Sequence, residues 1–270
     1  MNEMFVAVFD SEDAALKGMR TLKDLHEEGG ISLYAWAVIA RDRDGRISVK
    51  QQSGEAPIGT ALGLLMGGIV GILGGPAGSA VGASIGGYFG LLADWARAGI
   101  DLQFLDDVGK TLGAGKAAVL AEIEQSWSSL LESRLRQQGA TVFRRFRTDV
   151  TEDQLLQEET ALQATLQGLI DDLDKADAAN REDLDKSIVD VKRQLSAIQN
   201  RASAEIDLKR AETDHKVKVL RAQAETAATE AKRQIEKRIE DANANFEMRS
   251  RKLSQALALP EPDEGRKYLP

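Results

Sequence analysis

The sequence lacks several kinds of residue, and each absence excludes a class of site. It has no cysteine, which excludes disulfides, thiolate zinc sites and cysteine nucleophiles. Its two histidines, His26 and His215, stand far apart with no carboxylate or second histidine at ligand spacing, so we expect no metal and no cofactor. Basic residues are outnumbered, 35 against 43 acidic ones, and the net charge of −8 argues against a nucleic-acid partner.

Motifs of secretion and of catalysis are also missing. Residues 1–15 are acidic rather than basic, so we expect no secretory signal and a location in the cytoplasm. Gly109-Lys110-Thr111 resembles the end of a phosphate loop, but Phe104 stands where the earlier glycine belongs. We find no nucleophile–base arrangement and expect no enzyme activity and no catalytic residue.

Charge is absent from residues 56–93, and this stretch carries two series of glycines at every fourth position. A step of four is close to one helical turn, so each series places bare backbone along one face of a helix. Gly74-Gly75-Pro76 is typical of a helix stop followed by a new start. We therefore predict a hairpin of two helices, at residues 56–95, that pack and oligomerise through Gly59, Gly63, Gly67, Gly71, Gly75, Gly78, Gly82, Gly86 and Gly90.

The surroundings of this hairpin are open to two interpretations. Each arm has about 18–20 uncharged residues, or roughly 27–30 Å of helix, which matches the hydrocarbon thickness of a bilayer. Apolar residues such as Leu62, Leu65 and Ile69 would then form the outer faces of the arms. The flanking basic residues place both ends of the hairpin at the cytoplasmic face. The alternative is a hairpin buried between the subunits of a water-soluble oligomer.

The sequence on both sides of the hairpin predicts an α+β domain at residues 1–148. Strands are indicated at residues 4–9, 31–40, 46–52, 116–123 and 141–143, with helices after Asp10-Ser11 and around Leu131. An Asp44-Gly45 turn joins the second and third strands. Two strand–helix–strand units with right-handed crossovers favour a ferredoxin-like sandwich, into which the hairpin is inserted.

These motifs resemble a bacterial family of glycine-zipper membrane proteins of unknown function with a ferredoxin-like fold. The likeness covers about residues 1–147. It is carried by residues 57–63, the turn at Pro76, residues 82–90, Asp94, residues 99–101, Phe104 and residues 112–120. The resemblance implies membrane association, and it implies no catalytic activity and no cofactor. Members often end after the last strand, so the rest of this chain departs from the family.

Residues 149–259 are predicted to form a long α-helical coiled coil, and residues 260–270 a disordered tail. Apolar residues recur at steps of three and four, for example at Leu184, Ile188, Val191, Leu195 and Ile198. Residues 149–190 hold thirteen acidic and three basic residues, whereas residues 191–252 hold ten acidic and fifteen basic ones. Opposite charges favour antiparallel pairing. A bend near residues 178–180 would allow pairing within one chain, and an unbroken helix would leave pairing to two chains.

Together these features predict a non-enzymatic, membrane-associated scaffold at the cytoplasmic face of the bacterial inner membrane. It would self-assemble through the hairpin and the coiled coil, with itself and a lipid bilayer as partners and no client protein identified. The alternatives are a soluble homo-oligomeric α/β regulatory protein with the hairpin buried between subunits, and a zipper-packed membrane pore.

Overall fold

Five strands form one antiparallel sheet in the computed structural model, which describes residues 2–53, 61–73, 102–125, 128–146 and 151–259. The strands lie in the order β3-β2-β4-β1-β5, so that β1 is held between β4 and β5. Their bounds are β1 (Asn2–Phe9), β2 (Ile31–Arg41), β3 (Ile47–Gln52), β4 (Ala117–Gln125) and β5 (Thr141–Phe146).

Seven helices accompany the sheet in the described residues. Their bounds are α1 (Glu12–Glu27), α2 (Ala61–Leu73), α3 (Leu102–Thr111), α4 (Ser128–Gln137), α5 (Thr151–Leu173), α6 (Ala178–Thr226) and α7 (Thr229–Ala256). The α+β class and the long helical C-terminal region are therefore confirmed.

Local sequence signals explain where the first elements begin and end. Ser11 caps α1 by accepting a hydrogen bond from the backbone N–H of Ala14 at 3.2 Å, and Glu12 and Asp13 lie in the positive first turn of that helix. Gly29 follows α1 with a φ of +77°, a conformation that glycine adopts at little cost. Gly45 has a φ of +85° in the turn between β2 and β3.

Helices cover both faces of the sheet. On one face, Phe5, Ala7 and Phe9 of β1 pack with apolar residues of α1 and α4, including Met19, Leu22, Leu131 and Leu135. On the other face, Met4, Val6 and Val8 pack with residues of α2 and α3, including Leu65, Ile69, Leu105 and Val108. Each fully buried side chain of this size contributes about 1.5–3 kcal/mol. The most apolar strands, β1, β2 and β4, have side chains in the helix-covered cores on both faces of the sheet.

The described chain divides into two compact units, each built from two segments. The first unit comprises Met1–Asp149 and Asp214–Ala242, and the second comprises Val150–Thr213 and Asn243–Pro270. Residues 149–259, which the sequence treats as one helical region, thus contribute to both units.

In the second unit, α5, α6 and α7 share one apolar cluster. It is formed by Leu155, Ile198, Ala202, Ile206, Leu253 and Leu257. α5 ends at Leu173 and α6 begins at Ala178, close to the predicted bend, so acidic and basic segments pair within one chain. Glu152 pairs with Arg249 at 2.8 Å, and Glu158 pairs with Arg201 at 2.8 Å.

Candidate functional site

The glycine series of α2 lies away from the core. Leu62, Leu65 and Ile69 share one side of the helix and are buried against the sheet, whereas Gly63 and Gly67 are exposed. Positions 63 and 67 lie one turn apart, and at 100° per residue they point well away from the buried side. Apart from its chain neighbours and the backbone of its own helix, no atom of the described residues lies within 4 Å of a Cβ placed on Gly67.

The remaining predicted packing residues are only partly covered by the structure. Gly71 lies in α2, whereas Gly59, Gly75, Gly78, Gly82, Gly86 and Gly90 lie outside the described residues. The second arm of the predicted hairpin therefore lies outside them too. In the described ranges, no helix combines the length and the apolar character needed to cross a membrane.

One expectation about the first arm is wrong. The membrane interpretation predicts that Leu62, Leu65 and Ile69 form the outer face of the arm. Instead they pack on the sheet of their own unit, with Met4, Ala37 and Leu120. The physical reason is that this face of the sheet is apolar and needs a cover, which α2 and α3 provide.

A second candidate site lies at the edge of β2. Strand β4 pairs with β2 along one side, and β3 pairs with residues 37–41 on the other side. On that second side, no strand of the described sheet lies beside residues 31–35. The segment Asp214–Ala242 of the same unit covers this edge, and we call it the covering segment. It consists of the end of α6 and the first half of α7.

Side chains replace a neighbouring strand along this edge. The Nε2–H of Gln223 donates to the carbonyl oxygen of Ile31 at 2.7 Å. The Nε2 of His215 lies 2.9 Å from the carbonyl oxygen of Tyr34 and bonds to it in the tautomer that carries a proton there. The N–H of Leu33 donates to Nδ1 of His26, on α1, at 3.2 Å. The backbone groups that a strand would bind are thus satisfied by other means.

Tyr34 lies at a β-bulge and turns toward the covering segment. The register of β2 against β4 shifts between Leu33 and Ala35, which leaves Tyr34 as the extra residue. Tyr34 is 3% exposed, and it packs with Leu220, Ala224 and Ile235. The bulge therefore places an aromatic side chain in the contact with the covering segment.

The Tyr34 hydroxyl joins a group of charged side chains. It donates to Oε2 of Glu124 at 2.5 Å, and burial, with the nearby Glu124 carboxylate, raises the pKa of Tyr34. Burial alone would raise the pKa of Glu124, but the Tyr34 hydrogen bond and the Arg238 charge contribute to a net lowering. Lys216 of the covering segment pairs with the buried Glu122 at 3.4 Å.

Ser32 forms the centre of a hydrogen-bond network between β2 and the covering segment. Its side chain is buried, donates to Oε1 of Gln223 at 2.8 Å and accepts from Arg238 at 2.7 Å. Gln223 donates as well to the carbonyl oxygen of His26 at 2.6 Å. Close packing accompanies the network: a Cβ added to Gly29 would lie 2.6 Å from the Cβ of Ala231.

The sequence alone did not reveal this site. It assigned residues 214–242 to a coiled coil and treated both histidines as surface residues, whereas both are half-buried and bond to the edge of β2. One signal was present: β4 is apolar through Ala121 and then alternates Glu122, Ile123 and Glu124, which puts two carboxylates on one face. In the described part of the chain, no group of three or more potential metal ligands is found.

The comparisons with known proteins give one match. Residues 59–166 match a family described as a protein of unknown function, DUF1269. The match covers less than half of the chain, starts later than the resemblance noted above and reaches into α5. No curated protein and no solved structure matches the chain. Membership of a glycine-zipper membrane family stays a prediction.

Proposed function

We propose that this protein is a non-enzymatic scaffold that self-associates through the glycine face of α2. The observation that carries the proposal is the orientation of α2, which buries Leu62, Leu65 and Ile69 and leaves Gly63 and Gly67 exposed. Glycines at one-turn spacing cost about 1 kcal/mol each in an exposed helix relative to alanine. A second helix packed against that face offsets the cost, because backbones then approach closely.

The attachment to a membrane rests on the sequence. The charge-free length of residues 56–93 and the basic residues that flank it support attachment at the cytoplasmic face of the bacterial inner membrane. The finer fold assignments belong here as well. The order β2-β4-β1-β5, with one helix between β1 and β2 and another between β4 and β5, supports a ferredoxin-like arrangement with β3 added at one edge. The apolar cluster of α5, α6 and α7 supports coiled-coil packing.

A soluble homo-oligomer is the second candidate, and one observation favours it. The packing of α2 on its own sheet supports a protein environment for this arm. In this candidate the same glycine face lies between subunits in water.

The test is a Gly67→Leu variant compared with Gly168→Leu. Both glycines lie in helices with open space at the Cβ position, and leucine raises helix propensity by about 1 kcal/mol at either site. The fold is therefore kept in both. We expect Gly67→Leu to weaken self-association at least about tenfold, or roughly 1.4 kcal/mol, in light scattering with mild detergent. Gly168→Leu should assemble like the unmodified protein.

Flotation with liposomes of anionic lipid separates the two candidates. Protein that rises with the vesicles supports the membrane scaffold. Protein that stays below them as an oligomer supports the soluble one. If Gly67→Leu assembles as well as the unmodified chain, the glycine face is not the contact surface and the proposed function is wrong.

A further inference from the structure

We propose that residues 163–195 of α5 and α6, which we call the distal hairpin, bind the distal hairpin of a second copy of this chain. The contact is two-fold symmetric, with Ile170 and Val189 at its centre and Asp185 of each copy beside Lys192 of the other. It lies in the second unit and is distinct from the glycine face of α2, so the proposal goes beyond the function proposed above.

The third helix of the second unit covers only the base of the α5–α6 pair. Leu257, directly after α7, accepts a hydrogen bond through its carbonyl oxygen from Nε2 of Gln199 at 3.1 Å. The apolar cluster that the three helices share extends to Leu162 on α5 and to Ile198 on α6. In the described residues, no apolar cluster includes a residue of the distal hairpin, and several of its leucines are only half-buried: Leu166, Leu169, Leu173, Leu184 and Leu195.

Two exposed apolar side chains lie at the same level of the distal hairpin. Ile170 of α5 is 36% exposed, and Val189 of α6 is 55% exposed. The ion pair of Glu158 with Arg201 shows which residues of the two antiparallel helices lie opposite each other. Twelve residues farther toward the turn on each helix, the same register places Ile170 opposite Val189.

These two side chains also project from the same side of the distal hairpin. Ile188, directly before Val189, is 8% exposed and marks the side of α6 that faces α5. Leu169, directly before Ile170, holds the equivalent place on α5 and is half-buried. One residue turns a helix by about 100°, and in antiparallel helices equal steps along the chain lead to the same side of the pair. The distal hairpin therefore presents one apolar patch to its surroundings.

Two charged side chains on the same face of α6 flank Val189. Asp185 precedes Val189 by four residues and Lys192 follows it by three, so the three lie along one face of the helix. The neighbouring Lys186 and Arg193 form ion pairs within α6. Among the described residues, by contrast, neither Asp185 nor Lys192 has an ion-pair partner. Both charges are therefore available to a partner.

The order of these side chains is complementary to itself. When α6 of a second copy runs antiparallel across the patch, Val189 of one chain meets Val189 of the other. In the same register, Asp185 of each chain meets Lys192 of the other, so two opposite-charge pairs form on the two sides of an apolar centre. Ile170 of each copy lies beside this centre, because it is opposite Val189 within its own hairpin.

Self-complementarity of this kind is not a property of every exposed apolar residue. Met248 of α7 is 65% exposed, with Arg251 and Lys252 three and four residues after it. Asn245 and Ala244 hold the matching positions before it. An antiparallel second copy would bring no acidic side chain to these two cations, so the charge pattern favours the distal hairpin.

The size of the contact indicates its strength. The face measures roughly 17 Å along the helices and about 20 Å across the two of them, so the contact lies below the roughly 1,200 Å² of a standard interface. We expect a dissociation constant on the order of 100 micromolar. The contact becomes effective when the glycine face already holds copies together, because linked sites act at a high effective concentration. This role, though not the contact itself, rests on the proposed function.

The experiment uses full-length protein that carries Gly67→Leu, in mild detergent, so that association through the glycine face is already removed. Asp185→Lys and Lys192→Asp each place like charges opposite each other, twice in one symmetric contact. Asp190→Lys is the matched control, because Asp190 lies about 140° around α6 from Asp185 and is as accessible to solvent. Analytical ultracentrifugation at a series of concentrations reports dimers, and circular dichroism reports helix content.

We expect the Gly67→Leu chain to dimerise weakly and each of the two charge reversals to weaken dimerisation at least about tenfold. Mixed in equal amounts, the Asp185→Lys and Lys192→Asp chains should form a mixed dimer, because one brings two positive charges to the contact and the other two negative ones. A chain with both substitutions should dimerise with itself again. Asp190→Lys should dimerise like its parent.

The mixed dimer is a result that loss of folding cannot produce, since neither chain forms dimers alone. A Gly67→Leu chain that is monomeric at every concentration would overturn the proposal, because no second copy then binds the distal hairpin. Charge reversals without effect, or a mixture that stays monomeric, would overturn it as well. Failure of the proposed function reads out differently, as assembly of Gly67→Leu equal to that of the unmodified chain.

Discussion

His26 has a role in the sheet that depends on its being neutral. Its Nδ1 accepts a hydrogen bond from the N–H of Leu33, which a doubly protonated imidazolium ring cannot do. Burial is the main cause that lowers the pKa of His26, against opposing contributions from the backbone at Ile31 and from Glu27. The unfolded chain, with a pKa near 6.5, therefore binds this proton more readily than the folded chain.

We expect this histidine to make the protein less stable in weak acid. Stability from His26 is fully present above about pH 6.5 and falls as the pH is lowered below that value, because the unfolded state takes up the extra proton. The measurement is urea unfolding between pH 8 and pH 5 for the unmodified chain and for His26→Asn, which keeps an acceptor but does not titrate. The stability difference between them should shrink or reverse toward pH 5. Parallel pH profiles would contradict the prediction.

The sequence could not predict these hydrogen-bond partners, because the residues that bond to each other are far apart along the chain. Ser32 and Gln223 are 191 residues apart, and nothing near either one shows that they meet. The same holds for Tyr34, whose importance comes from a bulge that shifts the register of β2. Gly29 could be predicted as a helix end from its place after Glu28, but its contact with Ala231 could not.

Elements were predictable wherever local signals mark their ends. The strand predicted at residues 31–40 is Ile31–Arg41, and the one predicted at residues 116–123 is Ala117–Gln125. Ser11, Gly29 and the Asp44-Gly45 turn fix the ends of α1 and of the β2–β3 hairpin by chemistry that acts within a few residues.

The orientation of α2 shows where local signals stop. Its sequence carries two patterns at once, glycine at every fourth position and apolar residues at Leu62, Leu65 and Ile69. The glycines form one face of the helix and the apolar residues form another, and either face could pack against a neighbouring element. The choice is made by the sheet, whose apolar residues Met4, Val6 and Leu120 lie beneath the helix. The sequence of α2 does not contain that information.

The helices of the second unit should be held by their apolar cluster rather than by their ion pairs. Ile198 is 3% exposed in that cluster, whereas Arg201, three residues on, pairs with Glu158 with both side chains about half exposed. We expect Ile198→Ala to cost about 2–4 kcal/mol and Arg201→Ala about 0.5 kcal/mol or less.

Urea-induced unfolding followed by helical circular dichroism measures both variants on one helix. The costs are compared with the unmodified chain at the same ionic strength, since salt screens the exposed pair and leaves the cluster unaffected. Equal costs for the two variants would mean that charge, and not apolar burial, holds the three helices together.

At the scale of the whole molecule, the chain passes between its two units three times. It leaves the first unit after Asp149, returns to it at Asp214 and leaves it again after Ala242. Two helices, α6 and α7, contribute to both units, so the apolar pattern of residues 149–259 continues across the division between them. Apolar periodicity predicts an amphipathic helix, but it does not tell whether the apolar face packs against another helix or against the edge of a sheet.

This division predicts that two polypeptides, made by dividing the chain after residue 149, bind each other when mixed. Residues 1–149, with Gly67→Leu to suppress the glycine face, contain the whole sheet and its two apolar cores. Residues 150–270 contain the covering segment and the three-helix cluster. When mixed, they should form a 1:1 complex with a dissociation constant on the order of micromolar, because the covering segment contributes a small apolar cluster and a polar network to the contact.

Calorimetric titration and light scattering check this complex. Ile235→Asp in the 150–270 piece should abolish the complex, whereas Met248→Asp should leave it unchanged, because only Ile235 lies in the apolar cluster with Tyr34. If both pieces give the circular dichroism spectra of folded proteins and do not bind each other, the contacts of the covering segment are too weak to keep it on the edge of β2.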